Sequence, residues 1–272
     1  MKINVIIAMH KPYEIPADPL YVPVHVGAKG KEPIFTASGT PIAGDDSGEE
    51  ISEKNPQYCE LTGLYWAWKN LQADAVGLVH YRRYFKGKTK ASSKMQQVLT
   101  MDEAQQLLAE HDIIVPSKRK YYIETLYSHY GHTHDAKHLD ITREIIAEKY
   151  PDYLPACVAA YTCTWGYMFN MCIIKKEYLD KYCQWLFDIL GELESRLQTT
   201  GGTENLSAYD ARLYGRVSEI LFNVWIRHEQ EQADAPEIAE VPTMHMESIN
   251  WWKKGTSFLK AKFSGKKYSK SF

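Results

Sequence analysis

The stretch GLVHYRRYF, residues 77–85, begins as a buried strand and then changes character. Gly77-Leu78-Val79 is apolar, and His80, Tyr81, Arg82 and Arg83 follow at once. Open α/β sheets bind ligands at the carboxyl ends of their strands, so an apolar run that ends in an imidazole and two guanidiniums marks a ligand edge. The neighbouring elements fit such a sheet. Residues 2–9 (KINVIIAM) are a β-branched strand and 21–27 (YVPVHVG) a shorter one. Residues 28–54, rich in Gly, Ser, Asp and Glu, read as a long loop of the kind that carries function. Asn55 as N-cap and Pro56 at the first position open a helix predicted to run to about Asn70. Leu61, Leu64, Tyr65, Trp68 and Leu71 form its sheet-packing face, with Glu60, Gly63 and Ala67 on another. Then come a strand at 75–81, a loop at 86–94, a helix at 102–110 and a strand at 112–116. This alternation predicts an α/β fold with a mostly parallel central sheet.

The second half reads as helical: 135–149, 152–162, 176–198 and 208–229, with one strand at 166–174. Neither a repeat nor a clean linker divides the chain. One domain over 1–250 is expected, with an α/β part at 1–116 and a mostly helical part at 117–250. A basic aromatic tail follows at 251–272 (WWKKGTSFLKAKFSGKKYSKSF).

Composition bounds the function. The 272 residues carry a formal charge of −2, against the strongly basic balance of a general nucleic-acid binder. No apolar run approaches the ~20 residues of a membrane span, and the N-terminus reads as a strand instead of a signal peptide. The cysteines (Cys59, Cys157, Cys163, Cys172, Cys183) are odd in number and lack a CxxC pair, which fits buried thiols of a cytoplasmic protein. The tail suits weak attachment to an anionic membrane or a disordered C-terminus.

Three clusters can carry chemistry. If the chain stays extended past residue 80, His80 and Arg82 point to one side and Tyr81 and Arg83 to the other. One arginine could then hold a phosphate while its neighbour pairs with Glu60. The HYGHTHDAKH segment concentrates His129, His132, His134 and His138. His134 and His138 have the spacing of a helical zinc pair, which keeps a metal-dependent hydrolase in view, but no distant ligand partner is evident. Arg212, Gly215, Arg216 and Glu219 align on one face of the 208–229 helix. That face is either a salt-bridged surface stripe or a polar wall of a cleft, with Asp210 or Glu219 available as general base. P-loop, GxGxxG, GxSxG and HExxH motifs are absent, as is a DxD acidic pair.

Four segments taken together carry a resemblance: ISEKNPQYCELTGLYWAWKN, VGLVHYRRYF, MFNMCIIKKEYLDKYCQWLFDILGELE and RLYGRVSEILFNVWI. They resemble a bacterial glycosyltransferase family of capsular and exopolysaccharide loci, long described only as a domain of unknown function. The resemblance runs from the first strand to about residue 229. It implies a GT-A-like, Rossmann-type single domain that binds a nucleotide-sugar donor. It places Ala8, His10, Lys11, Asn55, Tyr58, Glu60 and Thr62 near the donor, and puts His80, Tyr81, Arg82 and Arg83 where related enzymes hold acidic metal ligands. Asn170 belongs to a further family motif.

The reading is therefore a hexosyltransferase that uses a UDP-sugar and a lipid-linked saccharide acceptor, at the inner face of the plasma membrane. The family association points to galactose, as pyranose or furanose. Arg82 and Arg83 would neutralise the leaving diphosphate, Asp210 or Glu219 would deprotonate the acceptor, and the His129, His132, His134 and His138 loop with Asn170 would form the acceptor side. No cofactor or metal is firmly implied, although Asp46 and His80 could share Mg²⁺ or Mn²⁺. The competing readings are the histidine-based hydrolase and a non-catalytic carbohydrate-binding protein.

Overall fold

Ile3, Val5, Ile6, Ile7 and Met9 have essentially no solvent exposure, so the first strand is covered on both faces, as a central parallel strand must be. The computed structural model describes residues 1–202 and 206–247; the tail at 251–272 lies outside the described residues. The strands are β1 (Ile3–Met9), β2 (Tyr21–His25), β3 (Ala43–Gly44), β4 (Ala75–His80), β5 (Arg83–Phe85), β6 (Ile113–Pro116), β7 (Arg119–Lys120), β8 (Trp165–Gly166), β9 (Cys172–Lys175), β10 (Ile238–Val241) and β11 (Thr243–His245). The helices are α1 (Asn55–Tyr58), α2 (Leu61–Asn70), α3 (Met101–Glu110), α4 (Leu126–Thr133), α5 (Lys137–Lys149), α6 (Leu154–Thr162), α7 (Lys176–Thr199) and α8 (Leu213–Glu229).

The main sheet runs β10-β6-β9-β4-β1-β2-β3, and every strand on this path except β9 points the same way. Leu61, Leu179, Leu186, Leu221 and Trp225 belong to a core that joins one face to α2, α7 and α8. Ala104 and Leu108 of α3 belong to the core on the opposite face. From β1 the chain winds outward through β2 and β3, then returns to β4 on the other side of β1. Beyond the carboxyl ends of β1 and β4 therefore lies a topological switch point, where such sheets bind ligands.

Four local expectations are corrected. The predicted 55–70 helix breaks at Cys59 (φ 55°, ψ −132°), so α1 and α2 are separate. Asn55 lies inside α1, and its Nδ2 bonds Cys59 O at 2.7 Å and Thr62 Oγ1 at 3.2 Å, bracing the break. Gly63 meets the sheet in α2: a Cβ there would stand 2.8 Å from Val26 Cγ1, so glycine permits the close approach. Tyr65 and Trp68 instead pack on Phe187 of α7. The predicted strand at 166–174 divides into β8 and β9, separated by Phe169 and Asn170 at positive φ. Finally, the chain does not stay extended past His80. It reverses through Tyr81 and Arg82, and Arg83 re-enters as β5, antiparallel to β4 and to β11.

Candidate active site

The reversal at Tyr81-Arg82 separates the two arginines by backbone geometry instead of strand alternation. Arg82 sits exposed in the turn, its guanidinium 5.0 Å from the Tyr81 ring centroid and 3.5 Å from Glu247. Arg83 turns inward over Phe169, with Cζ 3.6 Å from the ring centroid. Burial, helped by Arg119 and Arg82, lowers the Arg83 pKa to about 10 against the pull of Glu219 and Glu60. It remains a cation at neutral pH.

The carboxyl ends of β1, β4 and β6 and the amino end of β9 all reach this edge of the sheet. At the end of β4, His80 Nε2 donates to Phe169 O at 2.6 Å, and burial lowers the His80 pKa. His80 is thus the neutral Nε2–H tautomer. Just before β9, Asn170 Nδ2 donates to Glu60 Oε1 at 2.7 Å and to Gly215 O at 2.9 Å, while its Oδ1 accepts from Ser218 Oγ at 2.9 Å. Asn170 thereby ties the residue after the α1–α2 break to the start of α8. Cys59, Phe169 and Asn170 all lie at positive φ (55°, 77° and 53°), where non-glycine residues are strained. Such strain gathers at functional sites.

Glu219 of α8 completes the cluster. Burial first, then the charge of Glu60, pushes its carboxyl up to about 7, against Arg119, Arg83 and the Phe169 backbone. It lines a cavity of about 250 Å³ together with Arg119, Tyr121, His129, His134, Tyr209 and Arg216. Among the described residues Arg83, Arg119, Arg212 and Arg216 have no carboxylate within ion-pair distance. Arg212 Nε donates to Cys59 Sγ, and Arg216 Nη1 donates to His134 Nδ1 at 3.2 Å. Of the aligned stripe, Arg216 and Glu219 face the cavity, whereas Arg212 and Gly215 pack against the α1–α2 break at Cys59. Asp210 lies outside the cavity lining, exposed and engaged with Ser207 Oγ at 2.6 Å.

The other expected donor residues divide into two groups. His10 stands edge-on to Tyr81 at 5.1 Å, Tyr13 stacks on Tyr81 at 3.8 Å, and Lys11 lies over Tyr13, so this aromatic group borders the switch point. Ala8 is buried in β1 opposite His80. Tyr58 and Thr62 are also buried; the Tyr58 hydroxyl donates to Glu194 at 3.0 Å, in the helical layer. Asp46 is exposed beyond β3, while its neighbour Asp45 is buried and accepts from the Gly27 and Ala28 amides.

The histidine segment spreads over two elements, because α4 ends at Thr133 and α5 begins at Lys137. His129 and His132 each place Nδ1 on one oxygen of buried Glu124, at 2.7 and 3.0 Å. His138 is buried against the Tyr130 hydroxyl, and burial with Arg216 drives His134 down to about 3. Among the described residues no three His, Cys, Asp or Glu side chains form a metal-holding group. In the sheet β1 and β2 stand between β4, which ends at His80, and β3, which precedes Asp46, so the two residues do not come together to share a divalent ion.

Sequence reasoning passed over Cys59, Glu124, Phe169, Tyr121, Tyr209 and Arg119. The only local signal is charge: Tyr121 follows the cationic run Lys118-Arg119-Lys120.

The mixed α/β sheet and its helices have the fold of a glycosyltransferase of known structure. The chain matches the apo structure of WbbM, a bifunctional glycosyltransferase, with a TM-score of 0.81 and 27% identity over 91% of its length. It spans 46% of that protein, about half its length. No curated protein matches the chain. The chain belongs to the DUF4422 family, described as a domain of unknown function, whose profile matches residues 4–231.

Proposed function

We propose that the protein is a glycosyltransferase that moves a hexose from a UDP-sugar to a saccharide acceptor. The observation that carries this reading is Glu219, a carboxyl near neutrality that joins the Arg83 edge of the switch point to a cavity sized for about one sugar ring. A general base works best with a pKa near the operating pH. The acceptor hydroxyl gives its proton to Glu219, and its oxygen bonds the anomeric carbon. The bond from that carbon to the diphosphate breaks, and the electron pair leaves with the nucleotide. Arg83 from within the site, and Arg82 from its exposed rim, neutralise the leaving charge, a task that fixed cations perform best where water is excluded. Asn170 holds Glu60 in place beside them. The His10, Tyr13 and Tyr81 group suits a stacked base.

The capsular setting, a lipid-linked acceptor and galactose as the transferred sugar follow from the family resemblance and are part of the proposal. So is independence from divalent metal, which full activity in EDTA would support. A thermal-shift panel of nucleotide sugars, followed by nucleotide-release assays on the best stabiliser, tests the reading. Stabilisation by a UDP-sugar with UDP release is the expected result. Stabilisation by free sugars alone, with no nucleotide released, would instead favour a carbohydrate-binding protein.

A further inference from the structure

Between β7 and α4 the chain makes a short projecting turn, Tyr121-Tyr122-Ile123-Glu124. Tyr122 is 81% exposed and Ile123 71%, the two most exposed large hydrophobics among the described residues. Their exposure is built in. Ile123 N–H bonds Tyr121 O at 2.7 Å around Tyr122 at φ 61°, a three-residue turn of the strained hand. Tyr121 N–H is fixed to Thr164 O and Leu126 N–H to Cys163 O, both at 2.8 Å. A rigid base thus holds two apolar side chains out in water, where neither gains anything from burial.

The run of sequence that leads into this tip is cationic. Lys118, Arg119 and Lys120 precede it, all exposed, and the chain carries no acid between Asp112 and Glu124. Glu124 itself is buried beneath His129 and His132, and so adds no open negative charge at the tip. Lys118 pairs with Glu240, whereas Arg119 and Lys120 have no ion-pair partner among the described residues. A cationic run beside a protruding Tyr-Ile pair is the chemistry of an anionic lipid surface: the charges meet the headgroups, while the tyrosine and isoleucine enter the interface. Position agrees, since Arg119 and Tyr121, at the base of the same turn, line the cavity that holds Glu219.

We infer that the 118–123 turn is a membrane-docking point for anionic bilayers, which sets the mouth of the cavity against the lipid surface. The inference does not involve the tail at 251–272 and does not depend on the transfer reaction. If the transferase reading holds, it would present a lipid-linked acceptor to Glu219 without a membrane-spanning segment; among the described residues no helix is long and apolar enough to cross a bilayer.

The test uses the full chain and vesicles of phosphatidylcholine, with and without phosphatidylglycerol. Ile123→Cys, labelled with an environment-sensitive fluorophore and corrected for labelling of the wild-type chain, should shift to the blue with phosphatidylglycerol vesicles only. In flotation, Tyr122→Ser/Ile123→Ser should lower the partition coefficient more than about tenfold. Lys120→Ala should lower it about fivefold, an effect lost at high salt. Nucleotide release with a water-soluble acceptor should be unchanged in these variants. An unshifted fluorophore overturns the inference even if the tail carries the whole chain to vesicles. So does a Tyr122/Ile123 change that alters the mass in solution but leaves vesicle binding intact, since the patch would then join two copies of the chain. Loss of transferase activity in every assay would sink the transferase reading without touching the fluorophore result.

Discussion

Glu219→Gln should make the protein more stable and less active at once, with a pH dependence that identifies the carboxyl. The Glu219 pKa rises from 4.5 to about 7, chiefly through burial. A folded state that binds the proton more tightly than the unfolded chain loses stability as pH rises from the unfolded value to the folded one. The wild type should therefore lose roughly 3 kcal/mol between about pH 4.5 and pH 7 on account of this group, and nothing further above it. The net shift already includes the opposing pull of Arg83 and Arg119, so no further credit for those partners is due. Glutamine keeps the shape and carries no charge to desolvate. At pH 8 the variant should unfold roughly 3 kcal/mol later, which for a chain of this size is about 5–10 °C in Tm. Near pH 5 the gap should shrink below about 1 kcal/mol. Turnover should fall by a factor of 10² or more, as expected when a general base is removed. Denaturant melts at pH 5 and pH 8, paired with nucleotide-release rates, supply both readouts. A stability difference equal at the two pH values, or a variant less stable at pH 8, would refute the argument for a carboxyl strained by its site.

The wild-type rate should also rise with pH through about 7 as Glu219 ionises, and a profile flat from pH 5 to 8 would remove Glu219 as the base. Arg83→Lys keeps a charge but loses the planar contact over Phe169; it should cut turnover at least tenfold, measured against Arg82→Lys, which should have a smaller effect because Arg82 is exposed. Gly77→Ala would place a Cβ 2.7 Å from Cys172 O in the neighbouring strand, so about 1–3 kcal/mol of stability should be lost in urea melts. Asn170→Gly preserves the positive-φ backbone but removes the bonds to Glu60, Gly215 and Ser218; a Tm within 1 °C of wild type would show that the bridge contributes nothing.

What the sequence discloses and what it conceals divide along the range of the interactions. The strands at β1, β4 and β6 and the helices at α3 and α7 are written in local runs and periodicity, and the structure places them within a few residues of the expected bounds. The hairpin after His80 is not local. Tyr81-Arg82 has no glycine, proline or asparagine, and the reversal is held by β11, whose His245 lies opposite Arg83 across 162 residues of sequence. The break at Cys59 is equally hidden, since no helix-breaking residue marks it. It exists because Asn55 braces Cys59 O and because Gly215 brings α8 so close that a Cβ there would stand 3.1 Å from Cys59 Cβ. The histidine segment misleads for the opposite reason. Its i, i+4 spacing implies a shared helix face, but the α4–α5 boundary sends His134 to Arg216 and His138 to Tyr130. The site itself joins Glu60, Arg83, Arg119, Asn170 and Glu219, residues from five separate elements or loops. All but Arg119 can be singled out in their own windows, but only the switch-point topology makes them neighbours. The motif around residue 80 locates the edge of the cleft and the 208–229 helix offers Asp210 or Glu219 as candidate bases, but only the packing of α8 puts Glu219, and not Asp210, on the cavity wall.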